Sequence, residues 1–470
     1  MEENKKECAI ITVLGLTTNT ATYKRKDSDD IPNIRSMFHY FLQEYVEEYD
    51  IIPISTPKAK EKYINKKGDL TEESKKLEGV DEYDIKSAFK KCKEIPEEKD
   101  IDFSELFKII DDTIFKSSYE KVIIDVSQGY RYIPMLMFVD LIVQRLQHTQ
   151  KKIEIESIFA TKQSDEHTYE IIDLKDYLDI ANIMFVVSSF KHNFTTSNIE
   201  VSSKYSGFIN SLCEVSNDLL SLNINHLTKQ DGQGSANKLL KNIQKLQEEL
   251  EKETQNKEHF LINPLKDLAE FVKKELINFE GKKYYQTYLE LSEIFYERDY
   301  LINSIALLCE SARYFIKTQL KRECSEDLTN KIESIEDNLD TYETLRFFSG
   351  LSRIATNRDT GDYRPNLRDQ SQYWPKFKWV AIDKDKSDVI KNTFQNRDNQ
   401  NSDTYDALQR KCMAINGTLS KVSMLSDEID DLRNKLVHIN PNNDFDEIKK
   451  QINEKIERYK EIINEDTPTN

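Results

Sequence analysis

Four short runs of apolar, largely β-branched residues punctuate the first 175 positions: Ala9–Leu16 (AIITVLGL), Ile51–Ser55 (IIPIS), Lys121–Val126 (KVIIDV) and Ile153–Ala160 (IEIESIFA). Between them, Ile34–Tyr49 and Phe103–Phe115 space their apolar residues at helical steps. Continuous apolar strands alternating with amphipathic helices predict an α/β domain whose parallel sheet is covered on both faces. The charged stretch Lys58–Asp100 reads as a helical excursion around that sheet.

Beyond residue 175 the strand pattern stops. DYLDIANIMFVVSSF and SGFINSLCEVSNDLLSLNI are apolar at helical spacing, and a DGQGS loop (231–235) precedes a helix with Ala236, Leu239, Ile243, Leu246 and Leu250 in steps of three and four. That narrow seam suits either packing on the domain core or pairing with a second copy. From residue 281 two long helices should meet near Glu297–Tyr300, a polar segment spans Arg346–Lys411, and helices follow at about 403–438 and 444–465. The predicted organisation is an α/β domain at 1–175, a helical linker domain at 176–280 and an all-α domain at 281–470.

Composition narrows the function. At 470 residues the chain needs more than one core, and with 11 Gly and 10 Pro it favours long helices over a turn-rich β protein. The formal charge of −17 argues against general nucleic-acid binding, which rests on Lys and Arg neutralising phosphates, so any such site has to be a local basic region. The segment Arg346–Lys411 is one candidate, because it carries 13 Lys/Arg against 9 Asp/Glu and both tryptophans, in QYWPKFKWV. A solvated insertion accounts for it equally well. Six scattered cysteines (Cys8, Cys92, Cys213, Cys309, Cys324, Cys412), with no CxxC and no Cys/His pairing, predict reduced, mostly buried thiols of a cytoplasmic protein and no metal site. AIITVLGL is too short for a membrane span of about 20 residues and reads as a strand rather than a signal peptide, so no membrane partner is expected.

In an open parallel sheet, ligands sit beyond the C-terminal strand ends, where backbone N–H groups are unpaired. Three strand ends carry suitable polar residues: GLTTNT with Gly15, Thr17 and Thr18; STPKA with Thr56; and DVSQGYR with Ser127, Gln128, Gly129 and Arg131. Gly129 permits close backbone approach, and Arg131 can meet a phosphate or stack on a base. A plain strand-to-helix turn capped by Asp125 and Ser127 is the competing reading. No GxGxxG and no GxxxxGK[ST] is present, so neither dinucleotide binding nor a P-loop is supported.

The pair LGLTTNTATY and, about 110 residues on, DVSQGYR resembles the DxTHG-motif CRISPR-associated proteins over the first 175 residues. The resemblance implies a Rossmann-like CARF domain that senses cyclic oligoadenylate made by type III interference complexes. In that family the motif reads Asp-x-Thr-His-Gly-Phe-Arg. Here Ser127, Gln128 and Tyr130 replace Thr, His and Phe, and Gln128 has no titratable proton for ring cleavage.

The partner domain in that family is commonly HEPN, an all-helical ribonuclease module with an R-x4–6-H motif. DDLRNKLVHINP (430–441) contains Arg433, Asn434 and His438 in that pattern. With 16 Arg and 7 His, roughly 0.7 such pairs arise by chance, so the spacing matters only beside the upstream resemblance. Taken by itself it describes a surface Arg and a helix-terminal His. The resemblance implies a homodimer or higher oligomer that cleaves single-stranded RNA without metal or cofactor when cyclic oligoadenylate binds. His438 would move the proton, Arg433 would stabilise the phosphate charge, Asn434 would orient one of them, and the products would be a 2′,3′-cyclic phosphate and a 5′-OH. A non-catalytic sensor, whose helical half binds a partner, is the alternative. A HEPN toxin regulated by another nucleotide is a further one.

Overall fold

The computed structural model describes residues 6–15, 20–24, 30–95, 103–128, 132–147, 153–197, 199, 201–228, 233–253, 260–277, 282–338, 344, 348, 408, 411–412, 417–437 and 444–465. The chain divides into two compact units, one of residues 1–219 and 235–270, the other of residues 220–234 and 271–470.

The first unit is built on an eight-stranded sheet. In chain order it comprises β1 (Cys8–Val13), β2 (Ala21–Lys24), β3 (Ile31–Ile34), α1 (Met37–Glu44), β4 (Tyr49–Ser55), α2 (Pro57–Glu61), α3 (Glu82–Lys90), β5 (Lys93–Glu94), α4 (Phe103–Ile110), β6 (Lys121–Asp125), α5 (Tyr132–Gln147), β7 (Glu154–Asp165) and β8 (Thr168–Asp173). The spatial order is β3-β2-β8-β7-β6-β1-β4-β5. Strands β5, β4, β1, β6 and β7 run parallel to their neighbours, while β7–β8 and β2–β3 pair antiparallel.

The four apolar runs are the strands β1, β4, β6 and β7; β7 alternates at its start, with Ile155 and Ile158 buried and Glu154 and Glu156 exposed, whereas β1, β4 and β6 are buried on both faces. Side chains alternate across the sheet, so Ile10, Ile51 and Ile123 meet Met37, Phe38 and Phe41 of α1 and Phe89 of α3. On the opposite face Ile11, Val13, Ile54, Val122 and Ile124 meet Ile110 and Ile114 of the α4 segment and Met137 and Leu141 of α5. Two-sided burial is why β1, β4 and β6 lack an apolar–polar alternation.

The sheet departs from the all-parallel expectation at one edge. β7 continues to Asp165 through a stretch exposed at its tip, then returns as β8, and two short strands, β2 and β3, extend that side. The predicted strand Ala9–Leu16 ends at Val13, and the predicted helix Ile34–Tyr49 is shortened to α1. Ser36 caps α1 by accepting from the His39 N–H at 3.2 Å. The charged excursion contains α2, a 3-10 turn at Ser74–Lys76 and α3, and it also contributes the edge strand β5.

Helices α6 (Lys175–Asn193), α7 (Ser203–Leu220), α9 (Ser235–Glu253) and α10 (Ile262–Phe271) come from the stretch expected as a separate linker. Residues 176–219 and 235–270 instead group with the sheet, because α6 starts directly from β8 and packs on α5 and β7. The seam of α9 is closed within the chain: Ala236, Leu239, Ile243, Leu246 and Leu250 are all buried. α9 runs antiparallel to α7, with Ser235 on Asp218, Lys238 on Glu214 and Asn242 on the Gly207 carbonyl. Each apolar seam residue contributes about 1.5–3 kcal/mol of burial. That leaves no seam for a second copy.

The second unit is helical: the short α8 (Ile224–Leu227), α11 (Tyr284–Glu297), α12 (Leu301–Glu323), α13 (Glu326–Asn338), α14 (Thr418–Val437) and α15 (Phe445–Glu465). α12 packs on α11, α14 and α15, and the bend before it, predicted near Glu297–Tyr300, is taken by Asp299 at φ 63°. Ser311 ties α12 to the Tyr285 carbonyl at 2.6 Å and to the Tyr459 hydroxyl of α15 at 3.2 Å. Most of Arg346–Lys411, including both tryptophans, lies outside the described residues. Among the described residues no helix is long and apolar enough to cross a membrane. All six cysteines are free, but only Cys309 and Cys412 are buried and the rest are half-buried.

Candidate functional site

The described candidate residues fall in two places, one in each unit. The first is the mouth of the sheet. Counting only the parallel strands, β1 is followed by β4 and β5 on one side and by β6 and β7 on the other. The order therefore reverses between β1 and β6, and the crevice beyond their carboxyl ends is where such sheets bind ligands. GLTTNT, STPKA and DVSQGYR follow β1, β4 and β6, which are neighbours in the order β6-β1-β4. Three stretches spread over residues 15–131 of the sequence are thus adjacent strand ends.

Gly15, Ser127 and Gln128 come together there. The Gly15 N–H donates to Gln128 Oε1 at 3.3 Å, bridging the ends of β1 and β6. Beneath this bridge Asp125 sits directly opposite Thr12 in the β1–β6 register. Its Oδ2 accepts from the Thr12 hydroxyl at 2.6 Å and its Oδ1 from the Ser127 N–H at 2.9 Å. The second bond closes an Asx-type turn, so Asp125 shapes the turn that presents Ser127 and Gln128. Burial pushes the Asp125 carboxyl up to about 6, against the pull of its hydrogen bonds from Ser127 and Thr12. Thr161 of β7 fastens the same turn from the other side by donating to the Ser127 carbonyl at 3.3 Å.

Tyr23 of β2 reaches the site from the added edge. Burial pushes its hydroxyl up to about 12, with a hydrogen bond to Gln128 acting the other way, and its ring stacks on Tyr169 of β8 at 5.4 Å. Gln128 therefore ties Gly15 and Tyr23 together. Thr56 stands at the neighbouring strand end, buried, with Oγ1 accepting from the Ala59 N–H at 3.3 Å as the cap of α2. Thr17, Thr18, Gly129 and Arg131 lie outside the described residues.

The second place is the C-terminal half of α14. Arg433 is half-buried, its Nη1 3.4 Å from Asp430 Oδ1 and its Nη2 3.3 Å from the Asn434 side-chain oxygen. Asp430 is buried and shared: Arg313 of α12 donates through Nη2 to both carboxylate oxygens at 2.8 and 3.2 Å, and the Cys309 thiol donates to Oδ1 at 3.4 Å. Arg313 also meets Glu310 Oε1 through Nη1 at 2.7 Å. Burial pushes the Glu310 carboxyl up while both guanidiniums hold it down in part, and burial keeps the Cys309 thiol protonated. Two cations and two carboxylates are thereby locked between α12 and α14, with Arg433 on the outer side. His438 lies just past the last residue of α14 and outside the described residues.

Pattern reading missed Thr12, Glu310, Arg313 and Asp430. Three of them left a trace: Thr12 is a polar residue interrupting an apolar strand, and Glu310 and Arg313 interrupt the apolar face of LLCESARYF. Tyr23 ends the resembling stretch LGLTTNTATY, but its strand has no signature of its own, because β2 is four residues long. Compared with models of known protein families and with curated proteins of known function, the chain matches none.

Proposed function

We propose that the chain is a ligand-activated ribonuclease of the CARF–HEPN kind, in which cyclic oligoadenylate binds the sheet mouth and the helical unit cleaves single-stranded RNA. The observation that carries this reading is the adjacency of the three resembling strand ends at the point where strand order reverses. The strand ends carrying Gly15, Ser127, Gln128 and Thr56 offer neutral donors and acceptors to a nucleotide ring, and the resemblance adds Thr17, Thr18, Gly129 and Arg131 of the adjoining sequence. Gln128 positions and does not titrate, so this mouth holds its ligand without cleaving it by acid–base chemistry at that residue.

In the helical unit the RNA supplies its own nucleophile, the 2′-OH, which only has to be deprotonated and aligned. His438 exchanges the proton, Arg433 faces the phosphate as negative charge develops, and Asn434, within reach of the Arg433 guanidinium, orients it. The bond from the phosphorus to the 5′-oxygen breaks as the 2′-oxygen bond forms, leaving a 2′,3′-cyclic phosphate and a 5′-OH. No metal enters these steps. A single motif supplies one acid–base group, so two copies of the chain complete the site. Consistent with a dimer, α5 exposes Met135, Val139 and Val143 one turn apart, at 70, 50 and 43%.

The net charge of −17 favours one alternative, a sensor without nuclease activity whose helical unit holds a protein partner. Fluorogenic RNA incubated with the protein in EDTA, with and without each cyclic oligoadenylate, decides between them. Cleavage that needs the ligand and vanishes in His438→Ala supports the ribonuclease. Ligand binding with no cleavage, and a silent His438→Ala, supports the sensor.

A further inference from the structure

One face of α12 has chemistry that the reading above does not use. Glu310, Arg313, Tyr314 and Lys317 fall within an arc of about 100° and rise about 10 Å along the helix. Arg313 turns toward α14 and Asp430. Tyr314 turns toward α11, where it stacks on Tyr284 with ring centroids 5.2 Å apart and planes 22° apart, and meets Tyr288 at 5.2 Å and 38°. Tyr288 and Tyr314 are buried, whereas Tyr284 is 52% exposed. The three rings form a column whose inner members are buried and whose outer ring, Tyr284, stacks on Tyr314 and is about half exposed.

Two further observations bear on what that ring meets. Lys317 Nζ lies 5.3 Å from the Tyr314 centroid, placing a cation at the column. Glu310 lies within electrostatic reach of Tyr288 and Tyr314 on one side and of Arg313 and Arg433 on the other. Arg313, next to Tyr314 on α12, shares Asp430 with Arg433, so the column and Arg433 are linked through adjoining side chains of the helical unit.

We propose that the Tyr284–Tyr314 column is a stacking platform for an unpaired RNA base, holding the strand so that a neighbouring phosphate reaches Arg433. Every base offers a π-face, so a ring braced from behind binds without sequence preference, and an adjacent ammonium group favours the backbone. The braced geometry also lowers the ordering cost, because Tyr284 is already oriented by Tyr314. This assignment rests on the ribonuclease reading for its choice of RNA, and it supplies what an acidic chain otherwise lacks, a means of holding RNA that depends little on charge.

The test uses the full-length chain carrying His438→Ala, so that RNA is bound and not consumed. A short fluorescein-labelled single-stranded RNA is titrated by anisotropy, beside the same oligomer with abasic sites. Tyr284→Leu should weaken RNA binding about tenfold, the effect of losing one base–aromatic stack, and leave the abasic oligomer unchanged. Tyr284→Trp should restore or tighten binding. Equal affinity of Tyr284→Leu and the parent, no measurable RNA binding by the parent, or a change of oligomeric state on Tyr284→Leu overturns the platform. RNA cleavage by the otherwise unmodified chain is measured in parallel. Cleavage with an indifferent Tyr284 removes the platform alone, and Tyr284-dependent binding without cleavage removes the nuclease alone.

Discussion

Two buried aspartates, one in each unit, are handled in opposite ways. Asp125 at the sheet mouth is met by a hydroxyl and a backbone N–H, both neutral donors. Asp430 in the helical unit is met by a buried guanidinium on two sides of its carboxylate, by a second guanidinium and by a thiol. The first arrangement leaves burial uncompensated, so the acid is pushed up to about 6 and the turn above it is held by hydrogen bonds alone. The second exchanges desolvation for Coulomb energy and fixes where two cations stand. Under the proposed function the contrast has a purpose: a mouth that accommodates a ligand is built from neutral groups that can be re-paired, and a site that meets a phosphate keeps a cation at its edge, braced by buried charge behind it.

The comparison breaks most visibly at the helical unit. Arg433→Ala removes the outer cation and should lower ligand-stimulated RNA cleavage by about 10²–10³-fold, as loss of one preorganised charge stabiliser does. Calorimetric binding of cyclic oligoadenylate at the other unit should be unchanged. If cleavage falls only in step with ligand affinity, Arg433 acts on folding or coupling instead of chemistry. Arg313→Met acts one layer deeper. It strands the Asp430 carboxylate, and the loss expected is about 3–5 kcal/mol of stability in urea unfolding. Arg313→Met combined with Asp430→Leu should regain most of it. A double variant as unstable as the single one would show that packing, not charge balance, governs this layer.

Much of this was legible in the sequence, for identifiable reasons. Strands buried on both faces read as unbroken apolar runs, so β1, β4 and β6 could be found, and the polar tails after them marked the mouth; β7 was legible from its alternating, β-branched start. Strands that pair at an exposed edge have no such signature: TKQSDEHTYE, which makes the β7–β8 hairpin, is almost wholly polar. Tertiary pairing across long separations was invisible for a different reason. Thr12 with Asp125 and Arg313 with Asp430 are 113 and 117 residues apart, and only the fold opposes them. The Ala236–Leu250 seam was legible as a seam, but not its occupant. The polar contacts along α7, Ser235 with Asp218 and Lys238 with Glu214, show that the occupant is this chain.

At the sheet mouth the effects expected are smaller and depend on pH. The Asp125 carboxyl has a folded value of about 6 against an ordinary 3.8. The folded state therefore holds the proton more tightly than the unfolded one. The contribution of this group is fully present below about pH 4, is lost as pH rises through 6, and is flat above that. Asp125→Asn removes the titration while keeping an acceptor for the Ser127 N–H. The variant should match or exceed the parent above about pH 7, by about 2–3 kcal/mol at most. Its urea midpoint should lose the decline between about pH 4 and 6 seen in the parent. An unchanged slope would assign that decline to other carboxylates.

Gln128 gives the finest test of the contrast between neutral and charged construction. Its oxygen accepts from Gly15 and its side chain meets Tyr23, so it links β1, β2 and the turn after β6. Gln128→Ala loses about one net hydrogen bond, and cyclic oligoadenylate should bind about fivefold more weakly by calorimetry, with little change in stability. Gln128→Glu keeps an acceptor for the Gly15 N–H but adds a negative charge at the mouth. If the ligand brings phosphates there, this variant should bind more weakly than Gln128→Ala, and the gap between the two should shrink as salt is raised. Equal affinities at all salt concentrations would mean that the phosphates lie elsewhere. Gln128 would then be a strut between strand ends rather than part of the binding surface.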